Sequence, residues 1–347
     1  MYILISIVLF GILIAVHEFG HFITAKLCGV KVQEFAIGMG PLLYKKQGKE
    51  TLYTLRLLPI GGYCAMEGED EESEDPRSFT AQHPLKRAVI LTAGAAMNFL
   101  FGLMLILIVF LYSAPQTNEI TRFMEGCPYE GEQLLMVGDE FHEIDGQRVY
   151  VKNDISKYLG RGGDVHDITV RRNGELVNIE DMTITLLEYE EAETLRYGFY
   201  FEGKAEGFGE LLRYTWYYAM DFAGTVWDSL KSLVSGVYGV NDLSGVVGIV
   251  GAMNDVGQAS SSFAVGLINL LYFAAFIAVN LAIMNLLPIP ALDGGRIFFL
   301  IVLWPIELIL GRKLDPKYEG YIHTVGLMLL MALMVYVMFN DVIRLVG

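Results

Sequence analysis

The fold is decided by the first stretch of the chain, Tyr2-Ile-Leu-Ile-Ser-Ile-Val-Leu-Phe-Gly-Ile-Leu-Ile-Ala-Val-His17-Glu18-Phe-Gly-His21, in which an apolar run leads into polar side chains. A bilayer core of about 30 Å needs about 20 residues of helix, because a helix satisfies its own backbone hydrogen bonds in hydrocarbon. The run reaches that length when its helix continues through His21. The stretch therefore predicts a membrane-spanning helix with ionisable residues inside it.

Three further uncharged runs, at 88–118, 256–292 and 320–340, are each long enough to cross a bilayer. The 347 residues are 53% hydrophobic with a mean hydropathy of +0.42, which is too apolar for an ordinary soluble enzyme. The sequence thus predicts an α-helical multi-pass membrane protein with four transmembrane helices, at about 2–27, 85–112, 264–287 and 320–339. The shorter run 297–310 is broken by a proline and a glutamate, so we expect an interfacial or re-entrant piece there.

The distribution of charge predicts the orientation. Lys and Arg concentrate in 28–86 and 296–317, whereas acidic residues outnumber basic ones more than twofold in 114–210. Because basic residues favour the cytoplasmic side of short loops, 114–210 and both termini are expected outside the cytoplasm. A cleaved signal peptide is the alternative for the first run, but a basic leader and a small-residue cleavage site are missing. With a net charge of −15, the chain lacks the basic surface that is typical of nucleic-acid binding.

The segments between the apolar runs have distinct characters. Residues 51–58 have strand-like composition and end at the turn signal Pro59-Ile-Gly-Gly62, and the acidic run 67–75 reads as a solvated linker. Residues 114–204 read as a small β-rich domain, with strands in 135–149, 165–171 and 176–184 and with hairpin turns at Asp145-Gly146 and Asn173-Gly174. Residues 208–235 read as an amphipathic helix whose aromatic side chains suit a membrane interface.

His17-Glu18-Phe19-Gly20-His21 fits the H-E-x-x-H pattern. Positions i and i+4 of a helix lie on one face, so both imidazoles can bind one zinc ion while the glutamate acts as general base. Such residues are costly in a membrane span and usually mark a functional site. The alternative is a helix end at the interface, where His17 and Glu18 reach water. We favour the zinc site.

A catalytic zinc ion usually has three protein ligands and a water molecule, so one ligand must come from elsewhere. Asp293 is the best candidate, since it ends an uncharged stretch on the predicted cytoplasmic side, in Asn285-Leu-Leu-Pro-Ile-Pro-Ala-Leu-Asp-Gly-Gly-Arg296. The two prolines break the helix, and Gly294-Gly295 permits a sharp turn. Its alternative role is to cap the following helix. The other histidines show no ligand spacing and are expected at the surface or in local hydrogen bonds: His83, His142, His166 and His323.

The two motifs together resemble those of the site-2 protease family, and more narrowly its bacterial branch that regulates sigma factors. The resemblance covers nearly the whole chain and extends to Gly38-Met-Gly-Pro41, Leu58-Pro-Ile-Gly-Gly-Tyr63, Pro76-Arg-Ser-Phe79, Lys86-Arg87 and Phe339-Asn-Asp341. It implies a zinc-dependent intramembrane endopeptidase of the bacterial cytoplasmic membrane. Its substrates would be single-span, anti-sigma-factor-like membrane proteins already trimmed by another protease, and remnant signal peptides. It implies contact with membrane lipid and no nucleic acid.

The resemblance also assigns roles to residues. The zinc ligands would be His17, His21 and Asp293, and the catalytic base would be Glu18. Four residues would bind substrate: Asn280, Asn285, Gly61 and Gly62. Residues 51–62 match a membrane-associated β-hairpin region on the cytoplasmic side, which would pair with the substrate as an added strand.

The resemblance implies a division of the chain into three parts. Residues 1–113 would hold the first two transmembrane helices and the β-hairpin region. Residues 114–205 would form one inserted extracytoplasmic PDZ domain, and 206–347 would hold the amphipathic helix and the last two transmembrane helices. The chain departs from the family at Gly94-Ala-Ala-Met-Asn98 and at Ser244-Gly-Val246, where the family often has Gly-Pro and Ser-Gly-Pro. Asn98 itself matches a family position, and helix packing is another role for it.

Some functional questions stay open at this point. Acidic residues in 126–131, the expected ligand loop of the PDZ domain, disfavour a peptide carboxylate, so this domain would either bind a C-terminus or sieve substrates by size. A divalent-metal transporter would also place His, Glu and Asp in a membrane, but internal repeats are not visible. A scaffold with an inactive metal site is the third possibility, and the intact Glu18 argues against it.

Overall fold

The computed structural model describes residues 1–69, 73–161, 163–190, 192, 194–203, 207–237, 239, 243–310 and 316–346, apart from the side chains of residues 60, 308, 316–319 and 344–346. The helices in this part of the chain are α1 Tyr2–Cys28, α2 Pro84–Tyr112, α3 Lys152–Leu159, α4 Phe208–Val234, α5 Val246–Gln258, α6 Phe263–Asn285, α7 Asp293–Leu310 and α8 Pro316–Val346. The strands are β1 Val32–Gln47, β2 Leu52–Met66, β3 Gln116–Phe123, β4 Glu140–Ile144, β5 Gln147–Arg148, β6 Val165–Arg172, β7 Glu175–Thr183 and β8 Phe199–Gly203.

Four of the described helices, α1, α2, α6 and α8, are long and apolar enough to cross a membrane. This confirms the prediction of a multi-pass membrane protein. Helix α7 contains Pro305 and is not among the four. The interfacial or re-entrant placement of that run stays a prediction. The predicted amphipathic helix is present as α4. Helix α5 is not predicted by the sequence, because the three glycines in its 13 residues weaken a helical pattern.

The chain divides into two compact units, Met1–Leu105 with Phe222–Gly347, and Ile106–Asp221. In the first, helical unit, the end of α1 packs on β1, β2 and the start of α2. This packing buries an apolar cluster: Ala25, Val30, Val32, Phe35, Cys64, Met66, Phe79, Ile90 and Leu91. The cluster fixes the small sheet against the helix that carries the H-E-x-x-H residues.

Strands β1 and β2 pair with each other twice. Residues 32–37 of β1 pair with 62–66 of β2, and some of the same β1 residues also pair with 52–55, as when Glu34 lies opposite both Ala65 and Leu52. Residues 52–56 in turn pair with 42–47. The two long strands therefore bend into four adjacent segments, and 62–66 lies at one edge. The sheet is larger than the single strand at 51–58 that composition predicted.

The acidic run is not the solvated linker that its composition predicted. Glu67 accepts hydrogen bonds from Lys31, Gln33 and Ser73, which lower the pKa of its carboxyl to about 2. Glu69 pairs with Arg296 at the start of α7. These carboxylates tie the loop before α2 to β1 and α7, because basic partners that are distant in sequence lie next to it in the fold. Residues 70–72 of the run lie outside the described residues.

The end of α8 is joined to the start of α5 by a buried carboxylate. Asp341 is 3% exposed and accepts hydrogen bonds of 2.9 Å from the backbone N–H groups of Gly245 and Gly248. A Cβ at either glycine would lie within about 3 Å of this carboxylate. The N–H groups of the first turn of a helix have no partner in the helix, so an acceptor from another helix stabilises that end.

The second unit contains a sheet with strand order β7-β6-β4-β3-β8, and β5 pairs with β4 at its side. Asp145-Gly146 and Asn173-Gly174 both have positive φ angles, which confirms the two predicted hairpin turns. Fifteen buried residues form its core, among them Phe141, Ile144 and Ile168. The predicted strand from residue 135 was wrong at its beginning: β4 starts at Glu140, because Asp139 accepts a hydrogen bond from the Met136 N–H and closes a turn.

A buried ion pair holds this turn to β6. Asp139 is fully buried, and its two oxygens accept hydrogen bonds of 2.8 and 2.7 Å from Arg172. The same guanidinium donates to the backbone carbonyls of Glu132 and Leu134. The adjacent Arg171 pairs with Glu140, but both of those side chains are about 40% exposed. The two neighbouring arginines therefore differ in how much of their pair is buried.

We expect Arg172→Leu to destabilise the second unit by about 3 kcal/mol, because it leaves the Asp139 carboxylate buried without its cation. Hydrogen exchange of the full chain in detergent measures this as about hundredfold faster exchange in β4 and β6. The matched control is Arg171→Leu, which removes an exposed pair worth about 1 kcal/mol or less. Equal protection in the two variants would contradict the expectation.

Candidate metal centre

His17 and His21 stand one turn apart on α1, and both are buried. Their Nε2 atoms lie 3.1 Å from each other, and each lies 3.2 Å from Oδ2 of Asp293, the first residue of α7. The structure thus brings the two predicted histidines together with Asp293, which lies more than 270 positions further along the sequence. Among the described residues, these three form the one cluster of His, Cys, Asp and Glu whose donor atoms all lie within 4.8 Å of one another.

The donor set fits a zinc ion. Oδ2 of Asp293 is buried and accepts no hydrogen bond from the described residues, although two imidazoles lie beside it. A buried carboxylate oxygen without a donor is costly, and a cation between the three atoms would satisfy it. Two imidazole nitrogens and one carboxylate oxygen are typical ligands of a catalytic zinc ion, which keeps its fourth position open.

Polar groups behind the imidazoles set their orientation. Nδ1 of His21 lies 2.9 Å from the Ile90 carbonyl of α2, so Nδ1 carries the proton and the lone pair of Nε2 faces the cluster. Nδ1 of His17 lies 3.3 Å from the side-chain amide of Asn285, at the end of α6. The amide atom at this distance is Nδ2, a donor. A metal at Nε2 requires a proton on this Nδ1 as well, and the Asn285 amide, turned by 180°, would then accept it through its oxygen.

Gly94 of α2 provides the space that the imidazoles occupy. A Cβ at this position would overlap Nε2 of His21 and would lie 2.6 Å from Cε1 of His17. Gly20 on α1 similarly lets the backbone of Ala93 approach. This role of Gly94 is not predicted by the sequence, because no local pattern shows which glycine faces a metal ligand.

Glu18 lies next to the edge segment of the β1–β2 sheet. The Cys64 backbone N–H interacts with its carboxylate, and a Cβ at Gly62 would lie 3.4 Å from its Cγ. Gly61 has a φ of 92° and packs against the side chain of Met39. Gly61 and Gly62, which the family resemblance assigns to substrate binding, are thus brought close to the predicted general base.

The loop before Asp293 departs from the sequence expectation in one respect. Helix α6 ends at Asn285, ahead of the two prolines, as predicted. The left-handed residue is Ala291, with a φ of 79°, whereas Gly294 and Gly295 do not have positive φ. Their role is space, because a Cβ at Gly294 would overlap the backbone of Leu286. The expectation that the two glycines form the sharp turn was therefore wrong.

The remaining candidate residues lie in different surroundings. Asn280 lies within α6, and Asn98 is 1% exposed with neither amide atom hydrogen-bonded to the described residues. Three of the other histidines fit the expected surface or local hydrogen-bonding roles: exposed His83 accepts from the Leu85 N–H, His142 contacts Arg148, and His166 pairs with Asp145. His323 is different, because its partner is the Ala291 backbone in the loop before Asp293.

The part of the chain that the structure describes thus combines four helices that can cross a membrane with a buried His-His-Asp cluster whose donor atoms suit a zinc ion. The sequence model of Peptidase family M50 matches residues 5–333. The chain belongs to this family of zinc metalloproteases, and zinc is its cofactor.

Similar proteins agree with the family assignment. A Clostridium perfringens protein with the provisional name of a zinc metalloprotease is 37% identical, over 99% of both chains. The zinc metalloprotease RasP of Shouchella clausii is 29% identical over 98% of both chains. The regulator of sigma-W protease RasP of Bacillus subtilis is 27% identical over 98% of this chain and 97% of its own.

We expect Gly94→Ala to lower the metal affinity of the purified protein by at least about tenfold, because the added methyl group displaces both imidazoles. Competition with a chromogenic chelator measures the affinity. The matched control is Gly251→Ala in α5, where a Cβ would meet nothing within 4 Å. Since alanine favours a helix over glycine, both variants should fold. Unchanged affinity in Gly94→Ala would show that the imidazoles do not bind metal at this position.

Proposed function

We propose that the chain is an intramembrane endopeptidase in which His17, His21 and Asp293 hold the zinc ion and Glu18 is the catalytic base. The single observation that carries the proposal is that the three donor atoms lie 3.1 to 3.2 Å from one another. Glu18 follows His17 directly on α1. The family membership supports hydrolysis of a peptide bond as the reaction.

The chemistry divides between the metal and the protein. When bound, the zinc ion would polarise the scissile carbonyl and make a water molecule at the site more acidic. Glu18 would take the proton from this water and later give it to the leaving amine. The Cys64 N–H beside the Glu18 carboxylate helps to hold this base in place. The Ile90 carbonyl and the Asn285 amide keep the imidazole rings oriented.

The substrate would be the transmembrane segment of another membrane protein. The proposed base and two ligands lie on α1, which is long and apolar enough to span a bilayer. A helix hides its peptide bonds, so a segment must unwind before it can be cut. Residues 62–66 form an edge of the β1–β2 sheet next to Glu18, and an extended substrate could pair there as an added strand. This arrangement supports a substrate-binding role for Gly61 and Gly62.

Asn280 and Asn285 are proposed to contact the substrate near the metal. Both lie on α6, five residues apart, and Asn285 is already beside His17. An amide can donate to a carbonyl and accept from an N–H, which suits an unwound peptide.

The wider setting is also part of the proposal. Residues 114–205 would be a single PDZ domain outside the cytoplasm, with both termini on the same side of the bacterial cell membrane. The substrates would be single-span proteins like anti-sigma factors after another protease has trimmed them, and remnant signal peptides. The name of the Bacillus subtilis relative, a regulator of sigma-W, supports the anti-sigma-factor class.

The test compares the wild type with two variants, purified in detergent and incubated with a single-span model substrate. Glu18→Gln should keep its bound zinc and lose cleavage by at least about a hundredfold, because the amide cannot accept the proton. Asp293→Ala should lose zinc as well as cleavage, since it removes a ligand.

The control is Asp255→Asn, which changes an exposed acidic residue of α5 and should resemble the wild type in both measurements. Cleavage that persists in Glu18→Gln would exclude Glu18 as the base. Full zinc occupancy in Asp293→Ala would exclude it as the third ligand. Zinc flux into liposomes would favour the transporter instead.

A further inference from the structure

Helix α8 contacts the loop that leads to Asp293 through two residues one turn apart. Nδ1 of His323 accepts a hydrogen bond of 3.1 Å from the Ala291 backbone N–H. At Gly326 the helix is so close to the loop that a Cβ would overlap Pro290. The His323 ring also lies edge-on to Phe299 of α7, with 5.5 Å between ring centroids. The imidazole is therefore held between α7 and the loop.

The hydrogen bond from Ala291 goes to a strained position of the loop. A non-glycine residue with a φ of 79° is in the left-handed region, which costs about 1 kcal/mol or more for a residue with a Cβ. Such a conformation persists only when surrounding contacts hold it. Ala291 is two residues before Asp293, so a change in its backbone would move the carboxylate.

The N–H groups of the residues around Ala291 do not bond to groups outside the loop. Ile289 donates to the Leu287 carbonyl, and Leu292 donates to the Ile289 carbonyl, both within the loop. Pro290 has no N–H group. The hydrogen bond from Ala291 to His323, 32 residues further along the chain, thus joins the loop to α8.

We infer that His323 is a positioning residue for the metal ligand Asp293: it accepts the Ala291 N–H and so keeps the left-handed turn that aims the carboxylate at His17 and His21. The inference rests on the proposed ligand set. It gives α8 a function in the metal centre, although none of its described side chains belongs to the cluster.

The experiment measures metal binding by the full-length protein in detergent. Zinc affinity is obtained by chelator competition, and the visible spectrum of the Co²⁺-substituted protein reports the ligand geometry. In His323→Asn the amide oxygen can take the place of Nδ1, whereas in His323→Gln it reaches further, toward the position of Nε2. We expect about tenfold weaker zinc binding in His323→Gln and His323→Leu, with altered Co²⁺ spectra. His323→Asn should stay within about threefold of the wild type.

The control is Thr324→Val, on the same turn of α8, where the side chain bonds only to the Gly320 carbonyl of its own helix; this variant should bind zinc normally. Wild-type affinity in His323→Gln or His323→Leu would overturn the inference. Equal losses in His323→Asn and His323→Gln would also overturn it, since an acceptor at the Nδ1 position would then not matter. The comparison of Asn with Gln decides the question even when His323→Leu does not fold.

Two further variants separate this inference from the proposed function. If Asp293→Ala retains zinc, the ligand set itself is wrong; if it loses zinc while His323→Gln binds normally, only the role of His323 is wrong. Ala291→Gly removes the strain at the left-handed position. In that background His323→Leu should cause a smaller fold-change in zinc affinity than in the wild type, and an equal fold-change would contradict a role through Ala291.

Discussion

The structure depends on placing two imidazoles and a carboxylate inside apolar helices. Unpaired polar groups there are expensive, so each must have a partner from another part of the chain. Asp293 meets both histidines, the Ile90 carbonyl and the Asn285 amide hold their far sides, and Gly94 leaves room for the rings. The helices α1, α2, α6 and α7 are therefore positioned by the requirements of one small cluster, as much as by apolar packing.

The proposed catalytic base, Glu18, depends on a different kind of contact. Glu18 is adjacent in sequence to His17 but is turned toward the β1–β2 sheet, where the Cys64 N–H and the glycine at position 62 lie beside it. The sheet is fixed to α1 by an apolar cluster and to the loop before α2 by the contacts of Glu67. The proposed metal ligands and the proposed base thus depend on contacts with different elements of the fold, and these contacts meet at one turn of α1.

The sequence predicts those residues of the site that belong to a recognisable local pattern. The spacing of His17 and His21 follows from the helical period, and Asp293 stands where an uncharged run with two prolines ends. The positions of Gly94, Glu69 and His323 could not be predicted, because each depends on which helices and loops lie next to each other. The same reason explains the error over the acidic run, whose partners Lys31 and Arg296 are 36 and 227 residues away. The sharp turn expected at Gly294-Gly295 lies instead at Ala291, whose N–H donates to His323 of α8.

Helix α8 is the least enclosed of the four long apolar helices. Only 6% of its most apolar window is buried in the protein, against 28% to 44% for the other three. A hydrophobic span can respond to a change in bilayer thickness by tilting, and a helix with few protein contacts has little to oppose that response. Because the same helix touches the loop of Asp293 at His323 and Gly326, a change in its tilt would be transmitted to that loop. Bilayer thickness would thereby become a physical variable of the proposed metal centre.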